Sequence, residues 1–237
     1  MRFITHILDI KNILGMQRNT REYMTFICAV ADPVIYPLSC GHIEIRTTKN
    51  GIARTEMYDN LLNAAVTLQA DADTTITIIG NVSTFCVDGA AYDITSIDVT
   101  HAYSLDILGL FHSEISVLDV SQNSLLRELN VSQCDDLASL DLTGNTELQH
   151  LSCGYCTMLT DLDISGCPDL TEVSLNNCMQ LVTIRTRAID SYVANEIADI
   201  ITQNAGLGGT VYLDSTDPYY SVIETAAISA GWTVAAL

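Results

Sequence analysis

The chain has 237 residues, 48% of them apolar, and a formal net charge of −19. This apolar content is sufficient for a packed core, and no apolar run approaches the length of a membrane-spanning helix. Residues 1–23 contain four basic and two acidic side chains, a charge of +2, which leaves −21 for the rest of the chain. Because no apolar run is long enough, we expect no membrane span. Because so acidic a body repels nucleic acids and anionic lipid surfaces, we also expect no nucleic-acid partner.

Residues 1–23 are predicted to form an amphipathic N-terminal arm. Phe3, Ile7, Ile10 and Leu14 recur at helical spacing and would share one side of a helix. Such a helix can pack on the N-terminal cap of the protein itself, or it can dock its apolar side in a groove on an assembly partner. The segment has too little charge for strong binding to a membrane surface, and it lacks the basic flank of a secretory signal peptide.

Residues 24–83 are predicted to form a small β-rich N-terminal cap. Apolar stretches and alternating apolar and polar residues predict strands here, and Asn50-Gly51 predicts a hairpin turn. A sheet at this point would cover the open end of the region that follows. The predicted strands are Met24–Val30, His42–Thr47, Ala65–Ala70 and Thr74–Ile79.

One short phrase is repeated from Ile97 to about Thr186. Each phrase opens with two apolar residues two places apart, and side chains so spaced point the same way only in an extended strand. A phrase of about eleven residues cannot bury its apolar side alone, so it must stack on its neighbours. The apolar pairs include Leu118/Val120, Leu129/Val131, Leu140/Leu142 and Leu162/Ile164.

Asn or Cys recurs at the sixth place of the phrases. Asn123 and Asn145 can donate and accept hydrogen bonds where the chain bends inward, and cysteine can fill the same place as a small buried group. The cysteine spacing equals the repeat spacing, so it requires neither a disulfide nor a zinc ion. We expect buried free thiols, and no metal or cofactor, at Cys134, Cys156, Cys167 and Cys178.

These phrases resemble the leucine-rich repeat family, in its short form with units of about 21–22 residues that occurs in bacterial surface and phage proteins. The resemblance covers residues 84–187 and implies an α/β leucine-rich repeat solenoid of stacked parallel strands, with little helix in the central coils. It places concave strands near Cys86, Gly109, Asn130, Ser152 and Ser174, and convex strands near Asp98, Asp119, Asp141 and Asp163.

Residues 188–237 are predicted to form an α/β C-terminal cap. Two helices alternate with strands, which is typical of a parallel arrangement that could continue the concave sheet while the helices close the convex side. The predicted elements are a helix from an Asp190/Ser191 cap to Gly206, a strand at Val211–Leu213, a helix from Asp217-Pro218 to Ala230, and a strand at Trp232–Val234.

Four aspartates would stack on the convex side about 5 Å apart. Carboxylates so close could raise one another's pKa or bind a cation. Each is also followed two residues later by Ser or Thr, whose groups can satisfy the carboxylate, and we favour this structural interpretation. The residues are Asp98, Asp119, Asp141 and Asp163.

The sequence gives little support to an enzyme. The five histidines form no pair with metal-ligand spacing, and no nucleophile elbow or glycine-rich cofactor loop is present. His150 and Cys153 are separated by an odd number of residues, so they would point to opposite sides of one strand. We therefore expect no enzymatic activity.

The outward side chains of the concave strands are small and polar in the middle, with aromatic and histidine residues at the margins. This distribution is typical of a recognition surface, although any solenoid has outward polar residues. The candidate ligand-binding residues are Phe111, His112, Glu128, Asn130, His150, Ser152, Tyr155, Glu172, Ser174 and Asn176.

The sequence thus predicts a non-enzymatic recognition or adhesion module that binds a protein or glycan through the concave face, on a cell or virus-particle surface. The alternative is a structural subunit of a larger assembly, for example a phage particle. In that case the arm of residues 1–23 would dock through Phe3, Ile7, Ile10 and Leu14.

Overall fold

The structure of the chain is a computed structural model that describes residues 22–28, 31, 33–38, 42–59, 66–87, 94–187 and 190–237. These residues form an α/β protein with three sheets, many short strands, two helices and no closed barrel. Neither helix is long and apolar enough to cross a membrane. The four apolar residues of the predicted arm lie outside the described residues, and Tyr23, which we placed in the arm, begins the first strand.

The strands, in chain order, are β1 (Tyr23–Cys28), β2 (Val34–Leu38), β3 (His42–Lys49), β4 (Ile52–Asp59), β5 (Val66–Thr67), β6 (Thr75–Ile79), β7 (Thr84–Val87), β8 (Ile94–His101), β9 (Ile107–Gly109), β10 (Glu128–Asn130), β11 (Ser139–Asp141), β12 (His150–Ser152), β13 (Asp161–Asp163), β14 (Glu172–Ser174), β15 (Thr183–Arg185), β16 (Thr210–Leu213) and β17 (Thr233–Ala236). The helices are α1 (Ser191–Gln203) and α2 (Tyr220–Ala230).

The N-terminal sheet has the strand order β4-β3-β6-β1-β8 and is antiparallel throughout. Its β3–β4 hairpin turns at Asn50 and Gly51, as predicted, and both residues have a positive φ (54° and 73°), as the tight hairpin turn requires. Alternate side chains of β3, such as Ile43 and Ile45, are buried beneath this sheet. Four strands of the predicted β-rich region, β1, β3, β4 and β6, therefore pack in this sheet, while β2 and β5 join the seven-stranded sheet.

Strand β8 corrects one prediction. We expected Asp98 on a convex strand, in one stack with Asp141 and Asp163. Instead β8 pairs antiparallel with β1, where Asp98 lies opposite Thr25, and so it belongs to the N-terminal sheet. The pairing joins two strands that are more than 60 residues apart in the sequence, so the local repeat pattern does not reveal it.

The seven-stranded sheet has the order β14-β12-β10-β9-β7-β2-β5. Strands β7, β9, β10, β12 and β14 are parallel and pair in register, and Leu108, Leu129, Leu151 and Val173 lie side by side. The first residues of these paired strands are Thr84, Ile107, Glu128, His150 and Glu172, so successive intervals are 23, 21, 22 and 22 residues. The five strands predicted for the concave side are therefore confirmed as one sheet.

The C-terminal sheet is parallel and has the order β11-β13-β15-β16-β17. It contains the predicted strands at Asp141 and Asp163. The prediction of a strand at Asp119 was wrong, because this residue lies in an irregular segment between β9 and β10. The strand at Asp98, β8, is hydrogen-bonded to β1, so the C-terminal sheet begins at β11, two units later than expected.

The C-terminal cap follows the predicted order of helices and strands. Asp190 caps α1 by accepting a hydrogen bond from the Tyr192 N–H (2.7 Å), and Gly231 ends α2 with a positive φ of 76°. Helix α2 begins at Tyr220, two residues after the predicted start at Pro218.

The strands of this cap extend the other sheet from the one we predicted. Strands β16 and β17 pair onto β15 of the C-terminal sheet, and they do not join the sheet of β14. Helix α1 contacts β14. The strand that follows the helix, β16, pairs in parallel with β15, and β17 continues the parallel order.

A single apolar core runs between the sheets. Leu118, Leu140 and Leu162 are at most 7% exposed, and Leu129 and Leu151 are 1% exposed. Replacing one such leucine with alanine would lower the free energy of unfolding by about 2–5 kcal/mol, because the rigid neighbouring units cannot close the cavity. The core fixes the backbone of the strands, and with it the side chains that point outward.

Candidate functional site

The outward side chains of β10, β12 and β14 form what we term the polar face. In each strand the central residue is buried and the two flanking residues are exposed or half-exposed. The in-register pairing places Glu128, His150 and Glu172 in one row, and Asn130, Ser152 and Ser174 in a second row. Parallel strands lie about 4.8 Å apart, so each row spans about 10 Å. Six of the ten candidate residues are therefore brought together.

Two side chains of the first row are in contact. His150 Nδ1 lies 3.0 Å from Glu172 Oε2. Beside the row, Arg127 Nε donates to Asp106 Oδ1 over 2.6 Å, and the Nη2 group of the same guanidinium donates to the other carboxylate oxygen. The Arg127 side chain is thus held by Asp106 in the preceding unit.

The other four candidate residues lie at one margin of the polar face. Phe111, His112, Tyr155 and Asn176 follow β9, β12 and β14 in the turns at the carboxyl ends of these strands. The Tyr155 ring is 47% exposed, and the rings of Phe111 and His112 are neighbours with centroids 6.2 Å apart. Asn176 accepts a hydrogen bond from the Ser174 hydroxyl (2.8 Å). The aromatic margin and the polar rows therefore form one continuous surface.

These turns hold a conformation that the sequence did not suggest. One residue in each turn has a left-handed backbone although none is glycine: His112, Gln133, Tyr155 and Asn177 have φ between 59° and 63°. In this conformation the N–H of His112 donates to Ser132 O (2.9 Å), and that of Tyr155 donates to Asn176 O (2.8 Å). At His112, Gln133 and Tyr155 the strain of the turn is thus offset by a hydrogen bond to the next unit.

At two glycines of this surface, atoms of a neighbouring unit approach the backbone closely. Our sequence analysis did not use these glycines as a signal of the site. A Cβ atom at Gly154 would lie 2.4 Å from Asn176 Oδ1, and one at Gly109 would lie 2.8 Å from Cys86 Sγ. Gly154 therefore lets the Asn176 amide lean over the turn beside Tyr155. The absence of a side chain at Gly109 leaves room for the half-exposed Cys86 thiol.

The thiols behind the polar face are buried donors. Each of Cys134, Cys156 and Cys178 donates its S–H to a carbonyl of the preceding unit, on Leu110, Val131 and Cys153, over 3.0–3.1 Å. Burial raises the pKa of Cys134 and Cys178 to about 11 and that of Cys156 to about 12. These three thiols form no disulfide. At neutral pH they are protonated and poorly nucleophilic.

The amides take the same place under the C-terminal sheet. The Nδ2 group of Asn123 donates to Val99 O and Ala102 O, and that of Asn145 donates to Val120 O and Asn123 O, over 2.8–3.0 Å. The donor role that we predicted for these residues is confirmed. Their Oδ1 atoms have no hydrogen-bond partner among the described residues, so the predicted acceptor role is absent there.

The aspartates have the structural role that we favoured. The N–H group two residues on donates to Oδ1 of Asp98, Asp119, Asp141 and Asp163 over 3.0–3.1 Å. The Thr143 N–H and hydroxyl lower the pKa of Asp141. Within the described ranges, no group of three or more His, Cys, Asp and Glu side chains is placed to hold a metal ion.

The His150 and Cys153 side chains lie on opposite sides of their strand, as predicted. Cys153 is fully buried, and burial raises its pKa well above the ordinary value, whereas His150 is half-exposed on the polar face. A nucleophile and base cannot meet in this arrangement.

Comparison with models of known protein families gives no match, and comparison with curated protein sequences gives no significant similarity. The functional argument therefore depends on the geometry of the chain itself.

Proposed function

We propose that this chain is a non-enzymatic recognition module that binds a protein or glycan ligand through the polar face and its aromatic margin. The observation that carries the proposal is the in-register alignment of two polar rows across β10, β12 and β14, above a fully buried layer. A surface held so rigidly loses little conformational entropy on binding. The small amides and hydroxyls of the second row offer donors and acceptors, while Tyr155 offers contact area.

The fold that we propose for this function is a leucine-rich repeat solenoid. Three features support it. Strands recur at intervals of 21–23 residues, they pair in parallel, and the units between Glu128 and Arg185 contribute one strand to each of two sheets. Buried Asn and Cys side chains join each bend to the preceding unit. The seven-stranded sheet would then be the concave, ligand-binding side, and we place the module on a cell or virus-particle surface.

The test compares two tyrosines of similar exposure. Phe111→Ala combined with Tyr155→Ala should reduce ligand capture from the native source at least tenfold. Tyr192→Ala should leave capture unchanged, because Tyr192 is 51% exposed but lies on α1 and belongs neither to the polar face nor to its margin. Equal losses in both variants would contradict a binding role for this face.

The second candidate is a structural subunit that docks through residues 1–23. The observation that favours it is the fixed position of Glu22. Its carboxylate accepts hydrogen bonds from the Ser104 N–H (2.9 Å) and hydroxyl (2.7 Å), and its carbonyl accepts one from the Gly80 N–H (2.8 Å). The preceding residues are thus attached to the body at a defined point.

This candidate predicts a different pattern of losses. Ile7→Glu combined with Ile10→Glu should abolish incorporation into the assembly and leave ligand capture intact. The substitutions at Phe111 and Tyr155 should do the reverse, so the two functions are separable by sedimentation of the assembly and by capture.

A further inference from the structure

The charge around the polar face has one sign. Between Ile94 and Thr183 the chain has thirteen Asp and Glu residues and a single Lys or Arg, which is Arg127. That guanidinium is engaged by both carboxylate oxygens of Asp106. No other basic side chain in this range except a histidine can offset the carboxylates of the face, and His150 is the histidine that lies in the row.

The two carboxylates of the first row have a defined separation. Glu128 and Glu172 lie on either side of His150, on strands that are both direct neighbours of β12. With strands about 4.8 Å apart, the two carboxylates repeat at about 10 Å along the stack. A polypeptide in the polyproline II conformation has three residues per turn and rises about 3.1 Å per residue, so side chains three residues apart point the same way and repeat at about 9 Å.

We propose that the ligand of the polar face is a polypeptide segment with Lys or Arg at every third position. This inference rests on the proposed function and names its partner. The cationic side chains would pair with Glu128 and Glu172, and the peptide backbone would bond to the amide and hydroxyls of Asn130, Ser152 and Ser174. An anionic glycan would be repelled by the same row, and a neutral one would gain nothing from it.

Charge attraction to the whole acidic body is the competing explanation, and a charge-matched control separates the two. Asp136 and Asp199 are exposed carboxylates outside the polar face, in the bend after β10 and on α1. Asp136→Asn with Asp199→Asn removes the same net charge as Glu128→Gln with Glu172→Gln. A general attraction would weaken equally in both double variants, whereas a docked peptide would respond to the second pair alone.

The experiment measures binding of a fluorescent peptide of repeated Lys-Gly-Ser units to the full-length protein by anisotropy at low and physiological salt. We expect binding that weakens at least tenfold in the Glu128→Gln/Glu172→Gln variant and less than twofold in the control variant. A matching peptide of Glu-Gly-Ser units should not bind. Thermal unfolding of both variants checks that the exposed substitutions leave the fold intact.

Equal weakening in the two variants, or no binding of the lysine peptide, overturns the inference. The proposed function fails separately, if the Phe111 and Tyr155 substitutions leave capture of the native ligand unchanged. A failed peptide experiment with a successful capture experiment would therefore remove the basic partner and retain the recognition face.

Discussion

The second residue of each strand phrase is used differently on the two sides of the stack. On the C-terminal sheet, Asp141 and Asp163 point outward and accept hydrogen bonds from the backbone and hydroxyl of the next turn. On the polar face, Asn130 Oδ1 also accepts from the Ser132 N–H (3.0 Å), whereas the Ser174 hydroxyl donates to the Asn176 side chain. The comparison teaches that the C-terminal sheet uses both of these side chains to hold turns, while the polar face does so at Asn130 and not at Ser174.

The bends of the two sides are closed by two kinds of side chain. Under the C-terminal sheet the Asn145 amide donates to two carbonyls, and the Cys167 thiol in the next unit donates to one, Leu142 O. Under the polar face the Cys134, Cys156 and Cys178 thiols each donate to one carbonyl. Place five of the phrase differs as well. Tyr155 and Asn177 are left-handed there, while Gly144 and Gly166 on the other side are not.

The largest loss of stability should come from removing the Asn145 amide. Asn145→Ala would remove the side-chain donor to the carbonyls of Val120 and Asn123, which retain only their backbone donors, and would leave a cavity at a fully buried position. We expect a loss of about 3 kcal/mol in the free energy of unfolding. Urea unfolding would measure it. Asn145→Cys, which restores one donor, should recover part of the loss, and an unchanged urea midpoint in the alanine variant would refute the closing role.

A glycine substitution on the same side should have the next largest effect. A Cβ atom at Gly166 would lie 2.2 Å from the Thr143 carbonyl oxygen, so Gly166→Ala must push two units apart. We expect a loss of about 2 kcal/mol by thermal or urea unfolding. Gly144→Ala is the matched control, since its Cβ would be 3.1 Å from Ser121 O and should cost less.

The Cys156 thiol under the polar face should contribute less to stability than the Asn145 amide. Cys156→Ala removes one S–H donor to Val131 O and a small volume, for which we expect about 1 kcal/mol. Cys156→Ser retains a donor and provides the comparison by urea unfolding. If Cys156→Ala and Asn145→Ala lower the free energy of unfolding equally, the amide does not stabilise its bend more than the thiol does.

The smallest effect should be the pH dependence of the aspartate turns. Hydrogen bonds from Thr143 lower the pKa of folded Asp141 below its ordinary value, so its stabilising contribution is present above about pH 4 and is lost as the pH falls through the folded pKa. Because the carboxylate is exposed, we expect only about 0.5 kcal/mol after solvent screening. Asp141→Asn should show less acid destabilisation than the wild type when unfolding is measured at pH 7 and pH 3.

Much of this arrangement could be predicted from local sequence. Apolar residues two apart located the strands at Gly109, Asn130, Ser152 and Ser174, and Asn50-Gly51 located a hairpin, because each depends on neighbouring side chains. The grouping of Glu128, His150 and Glu172 followed from the same spacing. The Asp-x-Ser/Thr pattern likewise gave the turn bonds of Asp141 and Asp163.

The errors lie where distant parts of the chain compete for one partner. Strand β8 matches the repeat, yet β1 pairs with it, and Asp119 consequently has no strand. The side on which β16 and β17 continue depends on the position of α1 against β14. The left-handed turns at His112 and Tyr155 have no local sign, because neither residue type favours this conformation as glycine does.

The unequal intervals between β7, β9, β10, β12 and β14 have a practical consequence. Units of 23, 21 and 22 residues all pair in the same register, so differences in length are absorbed in the bends. The bend that precedes Leu118 is the shortened one, and its Val117 side chain is 74% exposed. A peptide tag or fluorophore attachment sequence inserted at this point would report on the molecule without displacing a strand.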